Sequence, residues 1–169
     1  WRSDLPELCQ AYEDFATFKA VDKAVIVYES VWKHTQMMAE ALAEGMGRNG
    51  ICVKIFKCSM TSPAIIQKEL LDAKAVLVGS GNYNNAMAGS IAAFLEKLIT
   101  CKVKNKKGLG FGSYGWANLV TKEINARLGK AGITLLNDEI VSQNYTPSEA
   151  DLDALMELGK QIAEEIKAM

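Results

Sequence analysis

The chain has 169 residues, 49% of them hydrophobic, with 19 basic side chains against 20 acidic ones, which fits one globular domain and leaves no room for a second of full size. A formal charge of -1 argues against a nucleic-acid or anionic-lipid binder. No apolar run nears the roughly 18 residues of a membrane span, and Trp1-Arg2-Ser3-Asp4 does not open a signal peptide, so the expectation is a soluble, cytoplasmic protein with neither nucleic acid nor membrane as partner.

Residues 1–22 carry Trp1, Leu5, Leu8, Tyr12, Phe15 and Phe18 at spacings of three and four, the pattern of a short amphipathic helix lying against a larger body. That body can lie outside this chain, which begins with Trp rather than Met and reads as a piece of something longer. From Lys23 onward, short apolar runs rich in β-branched residues alternate with segments of helical period, the pattern of a parallel α/β sheet. Ala24 to Tyr28 is apolar on both faces, as a central strand covered by helices must be. Met38, Leu42 and Met46 mark the next helix, with Gly47 and Gly50 as its ending residues before a strand over Ile51 to Phe56.

Ser62-Pro63 offers an N-cap followed by proline at the first helical position, where its missing N–H costs nothing. The third strand is Ala75 to Gly79. Ile91, Phe94, Leu95 and Leu98 mark a helix, and Gly108 to Tyr114 a strand whose glycines let a neighbouring element or a ligand close on its backbone. Val120, Ile124 and Leu128 trace another helix ending at Gly132, Ile133 to Val141 the last strand, and Ser148 with Asp151 a capping box opening the terminal helix. Five such βα units give a doubly wound five-stranded parallel sheet with helices on both faces, in the order 2-1-3-4-5 or a half-Rossmann arrangement. In either, a ligand sits beyond the carboxyl ends of the strands at the switch point.

Three loops fall on that edge. Ser30-Val31-Trp32-Lys33-His34-Thr35 offers two hydroxyls and a helix N-terminus, suited to a phosphate monoester, unless Ser30 and Thr35 merely cap the helix. No G-x-x-x-x-G-K is present, and G-x-G-x-x-G is missing from this turn, which argues against nucleoside triphosphates and a dinucleotide here. Ser80-Gly81-Asn82-Tyr83-Asn84-Asn85 supplies amides that can read the edge of a heteroaromatic ring. Ser113-Tyr114-Gly115-Trp116-Ala117-Asn118 adds aromatic faces, so that Trp32, Tyr83, Tyr114 and Trp116 gather where a planar ligand would lie. A metal centre is not expected. His34 is the one histidine, and Cys9, Cys52, Cys58 and Cys101 show no C-x-x-C spacing and read as reduced, mostly buried thiols.

Together these loops resemble the FMN-binding loops of the flavodoxin superfamily, and in detail those of the flavodoxin-like domain of flavodiiron proteins, the A-type flavoproteins. Ser30 to Thr35 follows that family's phosphate loop, Ser80 to Asn85 its typical Ser-Pro-Thr-Tyr-Asn-Asn, and Phe111 to Asn118 its Phe-Gly-Ser-Tyr-Gly-Trp-Ser-Gly. Departures are Lys33 and His34 in the first loop, Gly81 and Asn82 for Pro-Thr in the second, and Ala117 and Asn118 for Ser-Gly in the third.

The resemblance implies the order 2-1-3-4-5, FMN as cofactor held by these three loops, and no catalytic side chain. It makes residues 1–22 a connector from an absent metallo-β-lactamase-like diiron domain and 23–169 the FMN-binding domain. It further implies electrons arriving from a rubredoxin-type donor or reductase and leaving for a diiron centre that reduces oxygen or nitric oxide, in a homodimer. The competing readings are a free-standing flavodoxin, an NAD(P)H-dependent FMN or quinone reductase, and an interaction module without cofactor.

Overall fold

The computed structural model describes residues 4–137 and 139–169. Its elements, in chain order, begin with α1 (Leu5–Ala16), β1 (Val21–Glu29), α2 (His34–Arg48) and β2 (Cys52–Lys57). After a turn of 3-10 helix at Cys58–Met60 come α3 (Pro63–Leu71), β3 (Ala73–Gly81), α4 (Gly89–Cys101), β4 (Lys107–Tyr114), α5 (Val120–Lys130), β5 (Thr134–Leu135), β6 (Val141–Asn144) and α6 (Glu149–Lys167). The strands pair in parallel in the order β2-β1-β3-β4-β5, with β6 also on β4. This is the doubly wound sheet of order 2-1-3-4-5, and the half-Rossmann alternative is set aside.

The alternation of side chains along each strand divides the core into two layers. Val25, Val27, Val76 and Val78 face α3, α4 and α5, packing on Ile66, Ile91, Phe94 and Ile124. Ala24, Ile26, Ala75, Leu77, Leu109 and Phe111 face α2 and α6, packing on Met38, Leu42, Leu155 and Ile162. Burying each of the larger side chains contributes about 1.5–3 kcal/mol relative to leaving it exposed.

The glycines of β4 do what the sequence pattern asks of them. A Cβ on Gly110 would collide with Ile124 and the Asn125 side chain, whose Oδ1 accepts a hydrogen bond from Gly110 N (2.7 Å), so α5 lies directly on the strand. Gly79 leaves the space that the Phe111 ring occupies. Helices α2 and α6 approach so closely that a Cβ on Gly159 would lie 2.5 Å from the Leu42 carbonyl oxygen.

Three expectations need correction. The last strand is split: Thr134–Leu135 and Val141–Asn144 share the edge beside β4, because Asn137 turns its side chain back to accept from Glu139 N (2.8 Å), an Asx-type turn that ends pairing. Helix α2 runs through Gly47 to Arg48, and the left-handed residue after it is Gly50 (φ 81). The cysteines are not mostly buried: Cys9, Cys52 and Cys101 are exposed and Cys58 is half-buried, since they fall on a solvent-facing helix, an edge strand and a helix end. The expected amphipathic helix is present as α1, and it buries none of its residues, so Leu5, Tyr12 and Phe15 face solvent within the described chain. Trp1, part of the same expected stripe, lies outside the described residues. The capping box at Ser148 and Asp151 is present, with Ser148 Oγ accepting from Asp151 N.

Where the segment after α1 meets the sheet, two lysines are buried. Lys23 Nζ lies 2.7 Å from both Glu69 and Asp72. Lys106, 5% exposed, donates to Ala73 O (2.7 Å) and Leu71 O (3.4 Å), with the Phe18 ring 5.5 Å away. Burial lowers the Lys106 pKa to about 8, against the pull of Asp72 and with the help of Lys23. Between about 8 and 10.5 the unfolded chain therefore holds the extra proton, and stability rises with pH across that window by about 3 kcal/mol in total. Urea unfolding at pH 7 to 10 is expected to show this rise, and Lys106→Met to flatten it; parallel curves for the two proteins would contradict the assignment.

Candidate functional site: a groove at the carboxyl edge of the sheet

The loops after β1, β3, β4 and β6 meet at the edge where the sheet order reverses between β1 and β3. They enclose a groove of about 310 Å³ reaching from Ser30 and Thr35 to Tyr114 and Trp116. It adjoins a recess of about 480 Å³ between Asn82–Asn85 and Gly115–Ala117.

The first loop forms one end. Lys33 occupies the N-cap position of α2 in a left-handed conformation (φ 67), and no side chain caps the helix. The first internal hydrogen bond runs from Met37 N to Lys33 O (2.9 Å), so the amides of His34, Thr35 and Gln36 precede it without an intrahelical acceptor. Ser30 and Thr35 are buried but do not cap the helix, contrary to the simpler reading of this turn. Thr35 Oγ1 instead lies 2.9 Å from Ser113 Oγ, joining the helix start to the loop after β4. Free amides, two hydroxyls and the positive end of the helix dipole are the groups that can receive an anion, here without glycine-rich sequence. Val31 (62% exposed) and Trp32 (80%) stand at the rim.

The second loop is a tight hairpin. Tyr83 and Ala86 exchange backbone hydrogen bonds (Tyr83 N to Ala86 O 2.8 Å, Ala86 N to Tyr83 O 3.0 Å), with Asn84 (φ 50) and Asn85 (φ 65) left-handed between them, the pattern of a type I′ turn. Ser80, fully buried, accepts from Ala88 N (3.0 Å) and donates to Gly81 O (2.8 Å), so it shapes the loop from behind and does not line the groove. Burial raises the pKa of the Tyr83 hydroxyl, and the nearby Glu29 charge adds to this.

Asn82 joins the second and third loops. Its backbone N donates to Ser113 O (2.9 Å) and its Nδ2 to Ala117 O, while its Oδ1 is buried without any partner. A buried acceptor left unpaired costs about 1–3 kcal/mol, so this oxygen calls for a donor.

In the third loop Tyr114 and Gly115 form the groove wall, Trp116 projects into solvent (91% exposed), and Asn118 is turned away, its Nδ2 donating to Ser142 Oγ (2.6 Å). The structure thus brings Ser30, Val31, Trp32, His34, Thr35, Gly81, Asn82, Tyr83, Asn84, Asn85, Ser113, Tyr114, Gly115, Trp116 and Ala117 around one groove and recess. Lys33, Ser80 and Asn118 stand behind or beside it.

Sequence reasoning missed the fourth wall. Tyr145, left-handed (φ 58), follows β6 and lies 3.5 Å from where a Gly115 Cβ would be. Its N donates to Tyr114 O (2.8 Å), and Asn144 Nδ2 donates to Gly115 O (2.5 Å). Thr146 Oγ1 lies 2.9 Å from His34 Nε2, which closes this loop onto the first. Ending the last strand at Asn144 and applying the carboxyl-edge rule would have found it.

Among the described residues no helix is long and apolar enough to cross a membrane, and no group of three or more His, Cys, Asp or Glu is arranged to hold a metal ion. The flavodoxin family model matches residues 26–159, and the chain belongs to the flavodoxin family, whose fold characteristically binds FMN. Within that class it is homologous to the flavodoxin-like domain of flavodiiron proteins. It is 39% identical over 166 residues to a nitric oxide reductase of Moorella thermoacetica, covering 98% of this chain and 42% of the relative. It superposes on the rubredoxin oxygen:oxidoreductase of Desulfovibrio gigas with a TM-score of 0.89 at 34% identity, covering 94% of this chain and 39% of that one. A flavodoxin from the domain Archaea superposes with a TM-score of 0.78 at 29% identity, over 86% of this chain and 99% of that one. The chain therefore spans about two fifths of the length of its longer relatives.

Proposed function

We propose that residues 23–169 bind FMN through Ser30, Val31, Trp32, His34 and Thr35, Gly81 to Asn85 and Ser113 to Ala117, with Lys33, Ser80 and Asn118 shaping these loops from behind or beside the groove, and relay electrons in the cytoplasm to a diiron centre of a metallo-β-lactamase-like domain in the parent protein. The observation that carries the reading is the chemistry of the groove: an uncapped helix start flanked by two hydroxyls at one end, and an unpaired buried carbonyl with aromatic walls at the other. The first suits a phosphate dianion. The second suits the pyrimidine edge of a flavin, whose ring N–H can donate to Asn82 Oδ1.

When bound, FMN supplies the exchange of one or two electrons at its ring. This chain's residues hold the phosphate at α2, present amides to the ring edge, and leave the rim open through the exposed Trp32 and Trp116, so that a docked partner can approach. No side chain is required to act as acid, base or nucleophile. Residues 1–22 would be the connector from the diiron domain, and the donor a rubredoxin-type protein or reductase, with the receiving centre in the other subunit of a homodimer. The names of the Moorella and Desulfovibrio relatives support oxygen or nitric oxide chemistry in the parent. The full-length match to an archaeal flavodoxin favours, as second reading, a flavodoxin that carries electrons on its own.

Adding FMN to the purified chain is expected to give one bound flavin per chain with quenched tryptophan emission, and FMN is expected to bind about 10–100-fold more tightly than riboflavin. A folded sample that takes up no flavin would overturn the reading. Reduction of the loaded chain by rubredoxin but not directly by NAD(P)H separates an electron relay from a nicotinamide-dependent reductase.

A further inference from the structure

Glu29 closes β1 immediately before the anion-binding turn, and its side chain is only 12% exposed. Its Oε2 accepts from Ser59 N (2.9 Å) and Ser90 Oγ (3.1 Å), its Oε1 accepts from Ser30 N (3.3 Å), and Lys57 Nζ stands 3.7 Å from Oε1. Burial pushes the carboxyl pKa up, but the hydrogen bonds from Ser59, Ser90 and Ser30 outweigh it and hold the group below the usual carboxylate range.

One side chain therefore joins three elements: the first loop, the turn after β2, and the start of α4. Just before α4, Ala88 N is bound to Ser80 Oγ. The first loop, the turn after β2 and the start of α4 are thus held to one carboxylate.

The chemistry of the contacts selects a carboxylate. Both oxygens receive backbone N–H donors, which have no capacity to accept in return. A glutamine of the same shape has one acceptor oxygen, so its NH₂ group must face either Ser30 N or Ser59 N and leave that donor without a partner. The negative charge is otherwise unwelcome beside an anion site, and the nearby Lys57 ammonium and the converging donors offset it.

Resting on the FMN reading above, we propose that Glu29 is a positioning residue: it fixes the Ser30 backbone so that the Ser30 hydroxyl and the α2 amides face the phosphate, and it thereby sets the preference for FMN over its dephosphorylated form, riboflavin.

The test compares dissociation constants for FMN and riboflavin in the wild-type chain and in Glu29→Gln, with thermal unfolding of the flavin-free proteins as a check on folding. Glu29→Gln is expected to weaken FMN binding by about tenfold while changing riboflavin binding by less than about threefold, so the preference for phosphate falls. Equal weakening of both flavins would show that Glu29 only supports the fold, and would overturn the proposal. So would an unchanged ratio. Ser90→Ala removes one donor and keeps the carboxylate; it is expected to lower the ratio by about two- to threefold, and this decides the matter if Glu29→Gln does not fold. A wild-type chain that binds neither flavin, or both equally, would overturn the FMN site itself together with this proposal, whereas a wild-type preference left intact in both variants would overturn the role of Glu29 alone.

Discussion

Gly45→Ala is expected to destabilise the chain by about 3 kcal/mol, although alanine is the better helix former by about 1 kcal/mol. A Cβ at Gly45 would be driven into the Met156 carbonyl of α6, and Gly159 presses from the same side, with a Cβ there reaching within 3.1 Å of Gly45 Cα. Both obstacles are backbone, so the helices must separate, which strips contact from Leu42, Met46 and Leu155. A loss of this size lowers the melting temperature of a chain of this length by about 6–12 °C. The variant should also bind FMN more weakly, because the phosphate site proposed above lies at the N-terminus of α2. Gly47→Ala serves as the control: nothing lies within 4 Å of a Cβ at Gly47, so the helix-propensity gain is expected to appear there unopposed. If Gly45→Ala melted like Gly47→Ala, the close crossing of α2 and α6 would be wrong.

Thr35→Val is expected to reduce FMN affinity by about 10–100-fold at a stability cost of only about 1 kcal/mol. Valine keeps the shape of this fully buried side chain and removes only the hydroxyl that lies 2.9 Å from Ser113 Oγ. A hydrogen bond to a charged group is worth about 1.5–3 kcal/mol, two or three times a neutral one, so the loss should show in the affinity for the dianion more than in unfolding. Flavin titration by tryptophan fluorescence reads the first and urea unfolding the second. Unaltered FMN affinity would place the phosphate elsewhere.

The doubly wound parallel sheet was legible because the central strands are apolar on both faces and each crossover is a helix with a clear apolar stripe; its order was not, and 2-1-3-4-5 over a half-Rossmann arrangement rested on the resemblance of the loops. The carboxyl-edge rule then locates the groove from the strand order. Side-chain roles inside the loops were less legible. Ser30, Thr35 and Ser80 are alike on paper, yet one hydroxyl lines the groove, one ties two loops together and one shapes a turn from behind. Those assignments depend on backbone conformation, such as the left-handed Lys33 that separates the turn from α2. Nothing near Glu29 in the sequence signals its role, because its partners Ser59 and Ser90 are distant in sequence. The break in the last strand had a signal, the polar Asn137 to Glu139 inside an apolar run, and the run outweighed it. Misplacing that strand's end hid Tyr145.

The split strand also divides the molecule by its resistance to opening. β1 and β3 are flanked by long partners, whereas among the described residues the edge beyond β4 pairs only through Thr134–Leu135 and Val141–Asn144. Short pairings with few backbone bonds are the first to exchange their amide protons, at a free-energy cost below that of global unfolding. Tyr145 and Thr146 hang from this edge, so one wall of the groove can detach while both core layers remain folded. Cofactor exchange would then follow the opening rate of β6, not the unfolding rate of the domain.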